Sequence, residues 1–556
     1  LSHFKTPGYG NPWCNVFNEW GQGICGDGTG ANQHWDTPLS GAQYGGRKGL
    51  NPVFNTEGMR PVVGSEFLRT RQYPDEVQNQ FIYACVINTN GLPRWTIQDD
   101  GAGYKGERVR HDPADKKTPF DLLKSSDKHF RPVDPQIGPD GALWFGDWAN
   151  PLIGHMQYSQ RDPNRDQRHG RIYRLVYTEK PLVEPQTQAG RPVAEVLAQL
   201  TSPEWRTRYR ARADLQARPR DEVLPAATKW LAETAAEPSL PTEVHDRLKT
   251  EVLWLQQSFH AVNDSLLRQL LVCTTPDARA AATRVLADER ERISVAEALL
   301  VAQATDTHPR VRTEAVRGLS FFATPAAMAA VVAAVNVEPA DHYLAYTADA
   351  ALGANIPVWK PAYEAGDLAA ATTPAGRILE SVLGLDKKAA EIIPLLAVLG
   401  GEQERSAEER NKAMQALADI EGGSADRGKV VFRRVCINCH RVYGEGVDLG
   451  PDMNQVGKRL APVKLVESII DPNAEVDAKY LSTLVITDEG KSITGLLVSE
   501  TPDELVIHDG KEPKTIPLAS IDERVKLKQS SMPEGLAATL SPNEFLDVIT
   551  FLRSLK

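Results

Sequence analysis

The sequence predicts a multidomain protein with three regions: an all-β region, an α-helical solenoid and a region built around one Cys-x-x-Cys-His motif. Short β-prone runs separated by Gly, Pro, Asn and Asp fill the first third of the chain, and a proline-led helical pattern recurs through the middle. The motif stands at 436–440. A chain of 556 residues is long enough for several such domains.

Composition and charge argue against some classes of protein. The chain is 41% hydrophobic and 24% charged, which is ordinary for a globular protein. Its formal net charge of −10 and pI near 5.8 argue against nucleic acid as the main partner. The longest apolar stretch, 321–335, is too short and too interrupted to span a bilayer. Because the chain begins at Leu1 without a signal-type segment, we expect a processed or partial product.

Residues 1–183 are predicted to be all-β. At the "PDG" turn Pro139 presets φ and Gly141 takes a positive φ, so that a strand follows. The runs 15–28 and 133–148 share an outline of apolar strand, glycine turn and a strand ending in Gly-Asp. Repeated short units of this kind indicate part of a β-propeller with about three blades, fewer than a closed ring needs. An irregular β-sandwich is the alternative.

The six cysteines are too few for a disulfide scaffold. Cys14 and Cys25 flank a short turn-containing stretch and are candidates for one disulfide in an oxidising compartment, with two separate thiols as the alternative. Cys85 and Cys273 lie among apolar neighbours and are predicted to be buried thiols.

Residues 184–400 are predicted to form an α-solenoid. Proline recurs at intervals of about 30–40 residues, the length of a helix-pair repeat, at Pro203, Pro241, Pro276, Pro309 and Pro339. Proline fits the first helical turn, where its missing N–H costs no hydrogen bond. Since a lone helix pair cannot bury its apolar face, such pairs stack. The pattern resembles HEAT-like repeats, which position other elements. The charged stretch 401–420 is predicted to be a linker, either an exposed hinge or the entry to a surface helix.

Residues 421–556 carry the chemistry. Cys436 and Cys439 stand on one turn of a predicted helix, where two thiols reach the two vinyl groups of a porphyrin, and His440 follows directly, under the iron. This spacing is the attachment signature of c-type haem. Zinc would need a second Cys/His pair and a redox dithiol a flanking βαβ pattern, and the sequence has neither. Because haem c is attached outside the cytoplasmic membrane in bacteria, we expect a periplasmic or otherwise exported protein.

Three residues are candidates for the second axial ligand: Met453, His508 and Met532. Met532 precedes a predicted amphipathic C-terminal helix, the position at which His/Met cytochromes carry the distal thioether. His508 lies in an alternating strand. Between the two ligands, residues 480–527 alternate and turn like a small inserted antiparallel sheet. Thioether ligation raises the haem potential, which suits an electron acceptor.

The segment "LGPDMNQ" is similar to the Gly-Pro-x-Leu segment of small, class I-like cytochromes c. The resemblance implies that the Pro451 carbonyl accepts a hydrogen bond from the proximal imidazole. It also implies that Met453 packs against the porphyrin rather than ligating iron.

As a whole, the chain resembles large secreted proteins of planctomycetes that join a membrane-bound-dehydrogenase-type propeller, HEAT-like repeats and a haem-binding domain. The resemblance rests on "CINCH", "ESIIDPNAEV" and "SSMPEGL" near the end and on "FRPVDPQIGPDGALWFGDW" in the first region. That propeller class is similar to quinoprotein sugar dehydrogenases, which oxidise an alcohol or aldose with PQQ, often aided by Ca²⁺, and pass electrons to a haem.

This second resemblance implies a quinone or substrate site in the first region. Arg131 would face the anionic quinone, Asp134 would orient it, and Asp147 and His155 would supply a polar contact and a base. Salt bridges between blades and capped turns are the alternative roles of these four residues.

Two functions follow. The chain would be an exported cytochrome that carries electrons from the dehydrogenase-like region to an external acceptor, or a non-catalytic electron-transfer or scaffold subunit of a larger redox complex. The implied partners are a redox protein or other haem subunit, and a chain or segment that supplies the missing blades.

Overall fold

The computed structural model divides the chain into an N-terminal unit, Leu1–Ile356, and a C-terminal unit, Pro357–Lys556. It describes residues 12–28, 32–40, 50, 52–54, 59–87, 89–112, 114, 118–150, 166, 168–235, 240–337, 339–400, 405–510 and 512–556. Across these ranges, no helix combines the length and the apolar character needed to cross a membrane.

The N-terminal unit opens with antiparallel sheets. Its strands are β1 Pro12–Phe17, β2 Gly23–Asp27, β3 Gln33–Trp35, β4 Arg60–Phe67, β5 Phe81–Ile87, β6 Gly91–Leu92, β7 Arg94–Asp100, β8 Gly103–Arg108, β9 Leu123–Lys124, β10 Pro132–Ile137, β11 Leu143–Asp147 and β12 Arg171–Leu175. They form the sheets β1-β2-β3, β8-β7-β5-β6-β9 with β4 on β5, and β10-β11-β12. Within the described strands these sheets do not close into a ring, so the region is β-rich as predicted, but a propeller is not shown.

The central strand β5 explains why its sequence is a continuous apolar run. Phe81 and Tyr83 enter a core with the aromatic pair Phe54–Trp95, whose rings stack 4.6 Å apart. The alternate residue Ile82 enters a second core on the other face. Since successive side chains of a strand point to opposite faces, a strand covered on both faces is apolar throughout. At the "PDG" turn, Gly141 has φ +78°, as predicted.

Helices follow in the same unit: α1 Val193–Ala198, α2 Trp205–Gln216, α3 Arg220–Ala235, α4 Thr242–Ser258, α5 Asp264–Leu271, α6 Pro276–Asp288, α7 Ala296–Gln303, α8 Pro309–Leu319, α9 Pro325–Val335 and α10 His342–Ala354. Pro276 and Pro309 occupy the first turn, as predicted, whereas Pro241 is a cap residue. Helix α6 packs on α8, and α8 packs on α10, which is the stacking of a helical repeat array.

The repeats and the sheets share one unit because buried side chains join them. Arg310 of α8 is 1% exposed, donates to Asp99 Oδ1 at 2.7 Å and Ala102 O at 2.9 Å, and also pairs with Asp277. Tyr343 of α10 packs edge-on against Trp35, with ring centroids 5.2 Å apart. The predicted boundary near 183 therefore marks a change from strands to helices inside one packed unit.

The C-terminal unit contains helices and a second set of strands. Its helices are α11 Ile356–Ala365, α12 Pro374–Val382, α13 Asp386–Gly400, α14 Ala407–Asp419, α15 Ala425–Val435, α16 Val456–Arg459, α17 Pro462–Ile470 and α18 Pro542–Ser554, and its strands are β13 Arg441–Val442, β14 Glu445–Gly446, β15 Leu481–Thr487, β16 Ser492–Glu500, β17 Glu504–His508, β18 Pro513–Pro517 and β19 Ile521–Ser530. Strands β15–β19 form one sheet in the order β18-β17-β16-β15-β19, the small antiparallel sheet that the sequence predicted.

Of the two alternatives for the charged stretch 401–420, the structure shows the helix: Ala407–Asp419 is helical. Helix α14 begins with a capping box between Ser406 and Glu409. Its Met414 and Leu417 are buried in the core of the unit, and its charged residues lie on the opposite, exposed face. The high density of charged residues suggested a linker because it obscures the helical spacing of the few apolar residues in this stretch.

Candidate haem site

The Cys-x-x-Cys-His motif continues the last turn of α15. The Cys436 N–H donates to Phe432 O at 2.8 Å, and the His440 N–H donates to Cys436 O at 3.0 Å, so both thiols and the imidazole follow a helical path. Burial raises the pKa of the Cys436 thiol to about 12 and also raises that of Cys439. Neither thiol is therefore a low-pKa thiolate of the kind found in redox dithiols.

The His440 imidazole is fixed in one tautomer. Its Nδ1 lies 2.9 Å from Pro451 O, and because a carbonyl only accepts, Nδ1 carries the proton and Nε2 keeps the free lone pair. Burial lowers the pKa of His440, although the Pro451 carbonyl opposes that shift. A neutral imidazole with Nε2 open is the form that binds a metal.

Gly450 forms part of the cradle of this ring. A Cβ at position 450 would lie 2.6 Å from His440 Cε1 and 2.8 Å from Nδ1, closer than real contacts allow. The Gly450 N–H donates to Cys439 O at 2.7 Å, and the Asn454 side chain accepts from the Tyr443 N–H at 2.6 Å. These bonds fold the loop back over the motif and set the position of the Pro451 carbonyl.

An apolar shell surrounds the motif. Helices α15 and α18 cross closely at Gly428, where a Cβ would lie 2.0 Å from Asp547 O, and the Phe432 and Phe551 rings pack 5.5 Å apart. Several apolar side chains pack against this core yet keep part of their surface uncovered: Cys436, Ile437, Met453, Ile470, Met532, Ala537 and Leu540. Uncovered apolar area beside two thiols and an imidazole suits a large flat apolar group such as a porphyrin.

Met532 follows the last strand of the inserted sheet, and its segment is held on both sides by one side chain. Asn473 Oδ1 accepts from the Ser530 N–H at 2.7 Å, and Asn473 Nδ2 donates to Glu534. The Ser531 N–H also donates to Tyr480 O at 2.9 Å. Sequence reasoning missed Asn473, although the "DPN" turn after α17 marked a capped loop.

Residues 425–482 match the family model described as cytochrome c. The motif stands in a cytochrome c domain. The match ends just after β15 begins at Leu481, so the inserted sheet and Met532 lie beyond it. The donor set of two protonated thiols, one oriented imidazole and an apolar shell with a thioether fits haem c.

The other regions match separate families. Residues 263–353 match a model of HEAT repeats, and residues 37–179 match a domain of unknown function, DUF7133. No curated protein matches the chain. The HEAT match agrees with the helical array, whereas the match to the β-rich region assigns no activity.

The other ligand candidates lie in different settings. Met453 packs against the same core as Met532, and its N–H donates to Arg441 O at 2.9 Å. His508 lies on β17 of the inserted sheet, and its Nδ1 accepts from the Gly510 N–H at 3.1 Å in the following turn. It therefore belongs to the sheet rather than to the core of the cytochrome c domain.

The residues proposed for a quinone site in the β-rich region make structural contacts. Arg131 is 3% exposed, and its backbone N–H donates to Asp147 Oδ1 at 2.8 Å. Asp147 also accepts from Arg171 Nε at 2.6 Å, while Asp134 is exposed and accepts from the Gln136 side chain. The contacts of Asp147 are those of a capped turn and a salt bridge, which are the roles given above as the alternative. His155 lies outside the described residues. No cluster of three or more His, Cys, Asp or Glu side chains suited to a metal occurs in the ranges given above.

Of the two alternatives for Cys14 and Cys25, the structure shows two separate thiols and not a disulfide. In the pairing of β1 with β2, Cys14 faces Gly26 and Asn15 faces Cys25, so the two sulfurs lie on opposite faces of the sheet. Cys14 Sγ lies 3.8 Å from Gln33 Oε1, and Cys25 Sγ donates to His34 O at 3.4 Å.

Proposed function

We propose that this chain is an exported c-type cytochrome that relays electrons from a donor dehydrogenase to an external acceptor. The observation that carries the proposal is the His440 imidazole beside two thiols, with Nδ1 held by Pro451 O at 2.9 Å and Nε2 free to bind iron. Export follows from the attachment chemistry, because bacterial haem c is attached outside the cytoplasmic membrane.

Each residue of the site has a role in this proposal. Cys436 and Cys439 would hold the haem through thioether links, and His440 Nε2 and the Met532 sulfur would bind its iron. Pro451 orients the imidazole and increases its basicity through the Nδ1–H bond. Met453 packs against the porphyrin. When bound, the haem supplies one-electron chemistry whose potential depends on the axial ligands and on burial.

Met532 is favoured over Met453 by its setting. Its loop joins the inserted sheet to α18 and is held by Asn473 on both sides. Met453 is held instead on the loop that carries the Pro451 carbonyl, which approaches the imidazole on the side away from Nε2. A second ligand to the iron would therefore come from a different segment.

Two variant sets test the haem assignment in the full chain matured with a cytochrome c assembly system. Cys436→Ser with Cys439→Ser should abolish covalent haem, seen by mass and by absorbance after denaturation. Cys273→Ser, a thiol of the N-terminal unit, serves as the matched control and should keep it. Covalent haem in the double variant would contradict the assignment.

The second set compares two methionines. Met532→Ala should remove the weak far-red charge-transfer band of methionine-ligated ferric haem. Met453→Ala should keep that band. The reverse result would make Met453 the ligand.

The electron donor is the finer part of the proposal. By resemblance the β-rich region would oxidise an alcohol or sugar with PQQ and Ca²⁺, and the HEAT repeats would hold it in place. Adding PQQ, Ca²⁺ and a panel of aldoses and alcohols to the full chain should then reduce the haem. A haem that stays oxidised across the panel would reject the catalytic form of the proposal.

A second candidate is a non-catalytic subunit of a larger redox complex, with a partner that supplies the dehydrogenase. It is favoured by the contacts of Asp147, which accepts hydrogen bonds from the backbone and from Arg171 and so serves the fold. This form predicts haem reduction only when the partner enzyme is added with its substrate.

A further inference from the structure

A small cavity lies between the first two sheets of the N-terminal unit. Its volume is about 80 Å³, and its wall includes Asn18 and Gln22 near β1 and β2, Arg69 after β4, and Tyr104 of β8. Three apolar side chains, Ile24, Phe67 and Ile97, also line it. Arg69 and Asn18 are half-buried, so the cavity reaches the surface. It shares no residue with the predicted quinone site.

Two polar residues that line this cavity have buried N–H groups without a hydrogen-bond acceptor among the described residues. Gln22 is 1% exposed; its Oε1 accepts from Trp35 Nε1 at 2.9 Å, but no described residue accepts from its Nε2. Arg69 Nε and Nη1 are also buried without a hydrogen-bonded acceptor among the described residues, although Nη1 lies 3.4 Å from Glu19. Because a buried donor without an acceptor is costly, the wall is suited to a group that accepts.

Tyr104 adds a further donor. Its hydroxyl oxygen accepts from Asn18 Nδ2 at 3.0 Å, which leaves the O–H hydrogen to point elsewhere. Burial raises the pKa of Tyr104, so the hydroxyl stays protonated at neutral pH. The Gln22 amide, the Arg69 guanidinium and the Tyr104 hydroxyl can therefore all donate a hydrogen bond to an acceptor in the cavity.

The charges behind the wall favour an anion. Arg208 donates to Glu19 at 3.0 Å, and it also interacts with Arg69, Arg247 and the buried Glu251. Burial raises the pKa of Glu251, which weakens the negative charge available to these arginines. Arg212 also pairs with Glu251 at 3.1 Å, so four arginines, Arg69, Arg208, Arg212 and Arg247, share the two carboxylates of Glu19 and Glu251.

We propose that this cavity binds a short-chain monocarboxylate, with the carboxylate at Arg69 and Gln22 and the alkyl end against Ile24, Phe67 and Ile97. The apolar part of the lining distinguishes such a ligand from inorganic phosphate, which has nothing to place there. The small volume limits the ligand to a few non-hydrogen atoms.

Acetate is the probe. Isothermal titration of the full, haem-loaded chain should show saturable acetate binding at constant ionic strength. Acetamide, the neutral isostere, should bind at least about tenfold more weakly, since it lacks the charge that strengthens hydrogen bonds to Arg69. Phosphate should not compete.

Two variants should each weaken acetate binding at least about tenfold. Arg69→Gln removes the cation, and Gln22→Glu adds a repelling charge while keeping an acceptor for Trp35. Arg71→Gln is the matched control, because Arg71 is an exposed neighbour paired with Glu204 and does not line the cavity. Near-ultraviolet circular dichroism checks that each variant is folded.

Three results would each overturn the proposal. They are the absence of saturable acetate binding to the wild-type chain, equal affinities in Arg69→Gln and wild type, and a crystal structure grown with acetate that shows only water in the cavity.

Discussion

Gly450→Ala tests whether the His440 imidazole depends on a residue without a side chain. The added Cβ would lie 2.6 Å from His440 Cε1, whereas ordinary contacts begin at 3.4 Å. The ring must therefore withdraw by about 0.8 Å, or the loop must shift by a similar distance. The φ of Gly450 is not in the left-handed region, so the alanine backbone is acceptable and the effect comes from the contact.

The size of the effect follows from two terms. Overpacking a filled site costs about 1–3 kcal/mol. A movement of about 0.8 Å away from Pro451 would stretch the 2.9 Å Nδ1–O distance beyond hydrogen-bond range, which costs about 0.5–1.5 kcal/mol more. A loss of about 3 kcal/mol in a domain of this size lowers the Tm by about 6–12 °C. Loss of the bond also makes the imidazole a weaker donor, which raises the haem potential.

The assay is thermal unfolding of the haem-loaded chain, followed at the Soret band, together with a redox titration. Gly400→Ala is the control, because Gly400 ends α13 on the surface and its Cβ would meet no atom of the described residues within 4 Å. That control should be neutral or slightly stabilising. If Gly450→Ala and Gly400→Ala have the same Tm and potential, the described packing against His440 is wrong.

Three other changes have defined outcomes. Asn473→Ala should release the Met532 segment, so the far-red band weakens and methionine dissociates at lower pH than in the wild-type chain, measured by a spectroscopic pH titration. Arg310→Met should lower the free energy of unfolding by about 1–3 kcal/mol in urea, because it leaves the buried carbonyls of Ala102 and Gly103 without this donor. Burial raises the pKa of Glu380 to about 7 from 4.5, so the folded state holds the proton more tightly and stability falls as pH rises from about 4.5 to about 7. Glu380→Gln should remove that dependence while keeping the contact with Asn543, as read from hydrogen exchange in α12 and α18.

Local sequence patterns predicted the helices and strands that are determined by residues close together in the sequence. The motif helix, the inserted strands and the C-terminal helix each follow from a period of 3.6 or 2 and from their caps. Ser541 and Glu544 form a capping box at the start of α18, a signal readable from four adjacent residues. The Pro451 contact was also predictable, because it rests on a short segment with a recognisable order of residues.

The boundary between the units could not be predicted in this way. Helices α12 and α13 have the same helical texture as the repeats before them, yet Glu380 of α12 bonds to Asn543 of α18, and Leu399 of α13 joins the core of the cytochrome c domain. The core that a helix joins depends on the surface against which it packs. The spacing of its apolar residues shows which face is buried but not which element covers that face. The choice between a disulfide and two thiols at Cys14 and Cys25 stayed open for a related reason, since the strand register decides which sulfurs face each other.

The inserted sheet leaves the cytochrome c domain intact because its two ends meet. Leu481 at the start of β15 pairs with Ser530 at the end of β19, and the Ser531 N–H donates to Tyr480 O at 2.9 Å. The chain therefore leaves and rejoins the domain at almost the same point, so the insertion acts there as a short closed loop. Asn473 lies at this junction and bonds to residues on either side of Met532. The insertion thus keeps Met532 next to the core of the cytochrome c domain. On the proposed ligation by Met532, changes at the base of the sheet should affect the far-red band more than changes in its outer strands.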